Sequence, residues 1–184
     1  MRQTRKKRVF RKTDYYHGDG MLTKVWGPSL WHTMHTISFN YPTHPSSVDK
    51  KHYRDFILNL QNILPCKHCR INLQKNFQSL PLKMEYMKSR ETFSNYIYSL
   101  HELVNKMLGK KSGLTYCDVR ERYEHFRARC NTSNNSNSND SHKKGCTEPL
   151  FGKKSKCLLR IVPDTYKAKT LKIHKACLKK RYKG

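Results

Sequence analysis

The chain has 184 residues, of which 38 are Lys or Arg and 13 are Asp or Glu, so its formal net charge is +25. Its length favours one domain with extensions, and an apolar share of only 36% argues against one core that includes every residue. No stretch approaches the ~18 consecutive apolar residues of a membrane span, and the basic N-terminus leads into no apolar signal segment. We therefore expect a protein that is not secreted and not membrane-bound. In the reducing cytoplasm, its seven cysteines favour catalysis or metal binding over structural bridges.

Charge and composition divide the chain into a folded domain and two basic ends. Residues 1–12 carry seven basic and no acidic residues, and residues 131–184 carry 14 basic and three acidic ones. An Asn/Ser-rich run without apolar residues separates the domain from the tail and is typical of a flexible linker. Such basic ends favour contact with a polyanion or nucleic acid. The predicted division is a basic N-terminal extension (1–21), a folded domain (22–130), a linker (131–145) and a basic Cys-containing tail (146–184).

The first half of the predicted domain has helical periodicity. Gly27-Pro28 opens a first helix, because proline suits a first helical turn. Ser46 or Ser47 caps a second helix that ends at Pro65, and a third helix begins at Cys66.

The second half continues the helical pattern. A fourth helix runs from Ser89 to about Leu108, and Thr115 caps a short fifth helix. No alternating strand pattern occurs in residues 22–130. The predicted fold class is all-α, a four-helix bundle plus a short fifth helix, with basic N- and C-terminal extensions. A short apolar stretch of the tail, residues 157–162, pairs as a strand or docks on the domain.

The chemistry of the predicted domain lies at Cys66-Lys67-His68-Cys69. A Cys-x-x-Cys at a helix start has its thiols in the first turn, where the helix dipole and basic neighbours favour the reactive thiolate. Half of a zinc site would need two more ligands, and 12 residues lie between Cys117 and Cys130 rather than the ~2–4 of a zinc knuckle. A thioredoxin-like site would need βαβ context. The third interpretation is a redox-active disulfide beside a cofactor that helices hold, since no G-x-G-x-x-G occurs.

Three motifs in order resemble one known family. They are Trp26-Gly27-Pro28-Ser29-Leu30-Trp31-His32-Thr33-Met34-His35, the Cys66–Cys69 pair, and His101-Glu102-Leu103-Val104-Asn105-Lys106-Met107-Leu108-Gly109-Lys110, with Glu121-Arg122-Tyr123 further on. The pattern is similar to that of the Erv/ALR FAD-linked sulfhydryl oxidases over residues 22–130, and it resembles most the short forms of large cytoplasmic DNA viruses. The resemblance implies a flavoprotein of the cytoplasm or a virion.

The resemblance implies FAD as cofactor and a set of residues around it. Trp31 and His35 lie four apart on one helical face, as do His101 and Asn105, so each pair can face one planar ring. Lys106, Lys110 and Arg122 are pyrophosphate candidates by charge. The usual H-N-x-V-N of the family has Glu102 in place of its first Asn. The implied cofactor-binding residues are Thr23, Lys24, Trp26, Gly27, Trp31, His35, Tyr98, His101, Val104, Asn105, Lys106, Leu108, Lys110, Arg122 and Tyr123.

The implied activity is oxidation of dithiol protein substrates, with molecular oxygen as acceptor and hydrogen peroxide as product. By resemblance, Cys66 exchanges with substrate and Cys69 faces the flavin. The family also implies a homodimer and a second, structural disulfide, which would join Cys117 and Cys130 although 12 rather than 16 residues lie between them. The alternative function is a basic, zinc-stabilised nucleic-acid-binding or structural virion protein.

Three cysteines remain in the tail, Cys146, Cys157 and Cys177. Related oxidases use a second cysteine pair on a mobile arm, and this chain has no cysteine before Cys66. The 16 residues from Cys130 to Cys146 span roughly 20–25 Å as a flexible chain. Cys146 and Cys157 are therefore candidates for a shuttle pair, and the alternative is that they are incidental thiols.

Overall fold

The computed structural model describes residues 9–18, 20–131 and 145–180. The body of the structure is helical, and the predicted all-α class is confirmed for it. Its helices are α1 (Thr23–Phe39), α2 (Ser47–Ile63), α3 (Lys67–Ser79), α4 (Arg90–Met107) and α5 (Tyr116–Glu124), with short 3₁₀ turns at Thr13–Tyr16, Met84–Met87 and Lys175–Cys177. α1 packs against α4 and α5, and α3 packs against α2 and α4.

Three helices begin at the hydroxyl residues that the sequence predicts. The N-caps of α2, α4 and α5 are Ser46, Ser89 and Thr115. In each, the hydroxyl accepts a hydrogen bond from the third backbone N–H of the helix, and that residue's side chain accepts one in return. These reciprocal bonds satisfy N–H groups that a helix start otherwise leaves unpaired. Because the bonds are local, the sequence was sufficient to place these starts.

α1 begins at Thr23, four residues before the predicted start at Gly27-Pro28. The preceding segment docks through the Met21 N–H, which donates to the Pro65 carbonyl at 2.8 Å. The Trp26 indole donates to the Met21 carbonyl at 3.0 Å, and its ring packs against the core. This contact holds the extra first turn in place, and Pro28 then lies in the second turn. There it lacks the N–H that would bond to the Lys24 carbonyl.

The main core lies between the first four helices. Ile57 of α2 and Phe93, Ile97 and Leu100 of α4 are fully buried in it. A second cluster of Phe39, Val119 and Tyr123 joins α1 to α5. Phe56, the neighbour of Ile57 on α2, is 39% exposed.

A two-stranded antiparallel sheet follows the helices, β1 (Ala128–Asn131) with β2 (Gly145–Pro149). The predicted linker lies outside the described residues apart from its ends, Asn131 and Gly145, which pair in this sheet. Residues 157–162 have no regular secondary structure; residues 157–161 are exposed and Val162 is half-buried. The tail contacts the helical body through an ion pair of Lys24 with Asp164 at 2.6 Å and a hydrogen bond from the Lys179 N–H to His125 Nδ1 at 3.0 Å. Residues 1–8 of the predicted N-terminal extension lie outside the described residues.

Candidate active site

The Cys-x-x-Cys pair forms the start of α3. Cys66 is the N-cap, and its Sγ accepts a hydrogen bond from the Cys69 backbone N–H at 3.2 Å. Both residues are free thiols in this structure. The predicted helix start at Cys66 is confirmed, because an N-cap acceptor followed by the first helical turn is a local arrangement.

The two thiols differ in acidity. A hydrogen bond from the Cys69 side chain, together with the backbone N–H groups of the helix start, lowers the pKa of Cys66. Burial, and the proton that Cys69 shares with Cys66, raise the pKa of Cys69. Cys66 is therefore the thiol that becomes a thiolate more readily, and the thiolate is the form that attacks disulfides.

The two thiols also differ in what they face. Cys66 lines a groove of about 400 Å³ together with Gly20, Met21, Lys67 and His68. Cys69 packs against the main hydrophobic core instead. Both side chains are half-buried. Cys66 borders the groove that an outside reactant can enter, whereas Cys69 contacts the core.

Aromatic side chains from three helices meet around one buried histidine. Trp31 stacks on His101, with ring centroids 3.9 Å apart and planes at 4°. His35, which is 4% exposed, shares a hydrogen bond with His101 at 3.0 Å between Nε2 and Nδ1. Tyr123 of α5 lies 5.3 Å from the His35 ring. We refer to these four residues, Trp31, His35, His101 and Tyr123, as the aromatic cluster.

Both histidines of the aromatic cluster are neutral at pH 7. Burial, and then the neighbouring His101, lower the pKa of His35 to about 3. Burial also lowers the pKa of His101 to about 4, against the opposing effect of Glu102. The cluster therefore presents planar, uncharged rings with nitrogen donors and acceptors.

These two imidazoles predict a loss of stability in mild acid. Each binds a proton more weakly in the folded chain than in the unfolded chain, where the pKa is 6.5. Their destabilising effect on the folded chain is therefore absent above pH 6.5 and grows as the pH falls towards 4. There His101 alone lowers the free energy of unfolding by about 3 kcal/mol. Urea denaturation at pH 7 and pH 4 measures this loss. Between pH 7 and pH 4, a His35→Gln variant should lose less free energy of unfolding than the parent. A control variant at an exposed histidine, His44→Gln, should lose as much as the parent. An equal loss in all three proteins would contradict the assignment.

Comparison with known proteins identifies the family. A sequence model of the Erv1 / Alr family matches residues 28–126, which is more than half of the chain. The chain belongs to the Erv1 / Alr family.

Viral relatives and solved structures agree with this membership. A probable FAD-linked sulfhydryl oxidase of Acanthamoeba polyphaga mimivirus is 35% identical over 104 residues, 56% of this chain and 72% of the relative. A FAD-linked sulfhydryl oxidase of African swine fever virus (isolate Tick/Malawi/Lil 20-1/1983) is 29% identical over 99 residues, 54% of this chain and 80% of the relative. The crystal structure of the yeast Erv1 core has a TM-score of 0.51 at 24% identity and covers 64% of this chain and 92% of that one. This last likeness shows a shared fold.

Several residues that the Erv1 / Alr resemblance names lie near the thiols or the aromatic cluster. Thr23 lies beside the Cys69 sulfur, with Oγ1 and Sγ 3.6 Å apart. Trp26 and Gly27 follow on the same turns of α1, and the carbon position that Gly27 lacks is 3.7 Å from the Thr23 methyl group. The named residues of α1 therefore extend from Thr23 beside Cys69 to Trp31 and His35 in the aromatic cluster.

The other α4 residues that the resemblance names either hydrogen-bond to nearby residues or are partly or fully exposed. The Tyr98 hydroxyl donates to the Leu114 carbonyl at 2.8 Å. The Asn105 amide donates to Glu102 Oε1 at 2.9 Å, so the glutamate that departs from the family pattern engages this asparagine. Val104 is half-buried, and Leu108 is 53% exposed.

The basic residues named by the resemblance lie at the surface. Lys24, Lys106 and Lys110 are exposed, and Arg122 is half-buried beside Tyr123. Lys110 is close enough to His101 that its charge contributes to the lowered pKa of that histidine. Lys24 pairs with Asp164 of the tail, a contact that nothing in the sequence indicates.

The two cysteine pairings predicted beyond the redox pair are wrong for this structure. Cys117 is an exposed free thiol in the first turn of α5, so it makes no bridge to Cys130. Cys146 lies on β2 and is disulfide-bonded, whereas Cys157 is an exposed free thiol, so these two do not pair with each other. Cys146 is therefore on a strand paired with β1 rather than on an unpaired segment.

One residue of this site was missed by the sequence prediction. His32 shares a hydrogen bond with the Tyr123 hydroxyl at 3.3 Å, between Nδ1 and Oη. It lies three residues before His35, and residues three apart share a helix face, so this spacing could have indicated His32 as a neighbour of the site.

Within the described residues, no three His, Cys, Asp or Glu side chains come together in a metal-binding group. No helix in the described part of the chain is long and apolar enough to cross a membrane.

Proposed function

We propose that this chain is an FAD-linked sulfhydryl oxidase that forms disulfides in dithiol proteins. The observation that carries the proposal is the asymmetric thiol pair at the start of α3. Cys66 is the more acidic thiol and opens to a groove, while Cys69 packs against the core. The Erv1 / Alr relatives named above carry this activity in their names.

The aromatic cluster fits FAD. His35 Nδ1 is buried and has no hydrogen-bond partner among the described residues, so a bound group can supply one. The flat rings of Trp31, His101 and Tyr123 suit contact with planar ring systems. Lys106, Lys110 and Arg122 are the basic residues that would hold the pyrophosphate. When bound, FAD supplies a two-electron acceptor for the thiol pair.

The thiol pair performs the exchange with substrate. A substrate thiolate attacks Cys66 Sγ of the Cys66–Cys69 disulfide, forming a bond to Cys66 and displacing Cys69 as a thiolate. A second substrate thiolate then attacks the substrate sulfur of this mixed disulfide and releases the Cys66 thiolate. The substrate has lost two electrons and two protons, and the chain's dithiol has gained them. Over the whole reaction, two thiols and molecular oxygen give one disulfide and hydrogen peroxide.

Two partner predictions stay predictions. A homodimer would cover apolar side chains that α2 leaves exposed, Phe56 at 39% and Ile63 at 60%. Contact with a polyanion would use the lysines of the tail, most of which are exposed.

The test is an absorption spectrum and a rate of oxygen consumption, both measured on the purified full chain. We expect a yellow protein with a flavin spectrum that consumes oxygen when dithiothreitol is added and produces hydrogen peroxide in equal amount. A colourless protein that contains zinc and binds nucleic acid would overturn the proposal in favour of the alternative function.

A further inference from the structure

One hydroxyl of the structure lies next to the inner sulfur of the thiol pair. Thr23 Oγ1 is 3.6 Å from Cys69 Sγ, within the range of a hydrogen bond to sulfur. Thr23 is the first residue of α1, and 46 positions separate it from Cys69. The contact therefore depends on how the segment before α1 docks onto the start of α3.

That segment is attached at several points. Gly20 forms an isolated antiparallel bridge with Cys66, and the Met21 N–H donates to the Pro65 carbonyl at 2.8 Å. Gly20 has a φ of +149°, and a Cβ at this position would lie 2.5 Å from the Pro65 oxygen, so no other residue fits without a shift. The Trp26 indole then donates to the Met21 carbonyl at 3.0 Å. Thr23 therefore lies between two residues whose positions are fixed by these hydrogen bonds, Met21 and Trp26.

The orientation of the Thr23 side chain is also constrained. Its methyl carbon Cγ2 faces Gly27, one turn along α1. Because a β-branched side chain has few χ1 rotamers in a helix, fixing the methyl group also fixes the hydroxyl. The hydroxyl is left on the side of Cys69.

We propose that Thr23 is a positioning residue whose hydroxyl donates a hydrogen bond to the Cys69 sulfur and stabilises Cys69 as the leaving group of thiol exchange. The inference rests on the proposed function. When substrate thiolate bonds to Cys66, the Cys66–Cys69 bond breaks and its electron pair goes to Cys69 Sγ, which the Thr23 hydroxyl then stabilises as thiolate. Cys66 borders the groove that an outside reactant can enter. A leaving thiolate of lower pKa departs faster, so this contact speeds the exchange once substrate attacks Cys66.

The electrostatics of the pair agree with this role. Burial raises the pKa of Cys69, and the hydrogen bond from Thr23 acts against that rise. The same hydroxyl also lowers the pKa of Cys66, where the hydrogen bond from the Cys69 side chain is the larger cause. Without the Thr23 hydroxyl, less would offset the effect of burial, and the pKa of Cys69 would be higher. Cys69 would then be a poorer leaving group.

The experiment measures the acidity of Cys69 directly in the full chain. A Cys66→Ser background leaves Cys69 as the one thiol of the pair, and serine keeps the N-cap acceptor of α3. The rate of Cys69 alkylation by iodoacetamide is followed against pH by peptide mass spectrometry. We expect Thr23→Val, which removes the hydroxyl and keeps the shape, to raise the pKa of Cys69 by about one pH unit, a roughly ten-fold lower rate at pH 7.

Three further variants separate the hydroxyl from the fold. Thr23→Ala should raise the pKa as Thr23→Val does, and Thr23→Ser should restore the parent profile. Thr33→Val on the same helix, whose hydroxyl donates to the Ser29 carbonyl, is the matched control and should change nothing. An unchanged profile in both hydroxyl-free variants, or a Thr23→Ser profile like that of valine, would overturn the proposal. Alkylation needs no turnover, so these results hold even for a protein that fails the oxidase test.

Discussion

Serine in place of either Cys66 or Cys69 should reduce oxygen consumption with dithiothreitol by at least about 1,000-fold, because each sulfur forms or breaks a covalent bond in turnover. Neither thiol belongs to the aromatic cluster, so both variants should stay yellow. Serine also keeps the N-cap function at position 66, so α3 should still begin there. An oxygen electrode and the flavin absorbance of the same sample measure both properties.

Cys117→Ser is the matched control for this pair. Cys117 is a free thiol on α5 that is exposed and lies outside the proposed exchange, so its replacement should leave the rate unchanged. Full activity in either the Cys66→Ser or the Cys69→Ser variant would refute the assignment of the redox pair. Loss of bound flavin in these variants would instead show that the thiols support the cofactor.

Alanine in place of His101 should weaken FAD binding by about 10–100-fold, the range expected when one stacked ring contact is lost. The substitution removes the ring that stacks on Trp31 at 3.9 Å and the nitrogen that bonds to His35 at 3.0 Å. Titration of the flavin-free protein with FAD, followed by flavin fluorescence, gives the dissociation constants. His101→Phe keeps a ring without the nitrogen and should lie between the parent and His101→Ala.

His52→Ala on α2 is the control for this titration. His52 is exposed and lies outside the aromatic cluster, so the His52→Ala variant should bind FAD with the same affinity as the parent. If His101→Ala binds FAD as tightly as the parent, the cofactor does not contact the aromatic cluster.

Most of the helical framework could be predicted because its signals are short. Ser46, Ser89 and Thr115 each cap a helix through residues three positions away. Gly109 ends α4 with a φ of +66°, and the Lys110 N–H returns to the Asn105 carbonyl at 2.8 Å. Such bonds depend on a few neighbouring residues, so composition and spacing are enough to place them.

The predictions that failed all required knowledge of distant contacts. The early start of α1 depends on Trp26 reaching Met21 on a segment docked beside Cys66. The bridge assigned to Cys117 was wrong because spacing along the chain does not determine which thiols approach each other. The sheet of β1 and β2 joins residues on either side of a long polar run, which the pattern of residues 22–130 did not contain.

By itself, the sequence determined the helical class, the thiol pair at the start of a helix and the family motifs. The tertiary structure alone decided which groups surround that chemistry. Thr23 meets Cys69 across 46 positions, His35 meets His101 across 66, and Lys24 meets Asp164 across 140. The physical reason is range: capping and helical periodicity act within a turn, whereas these contacts form only after separate helices pack around one core.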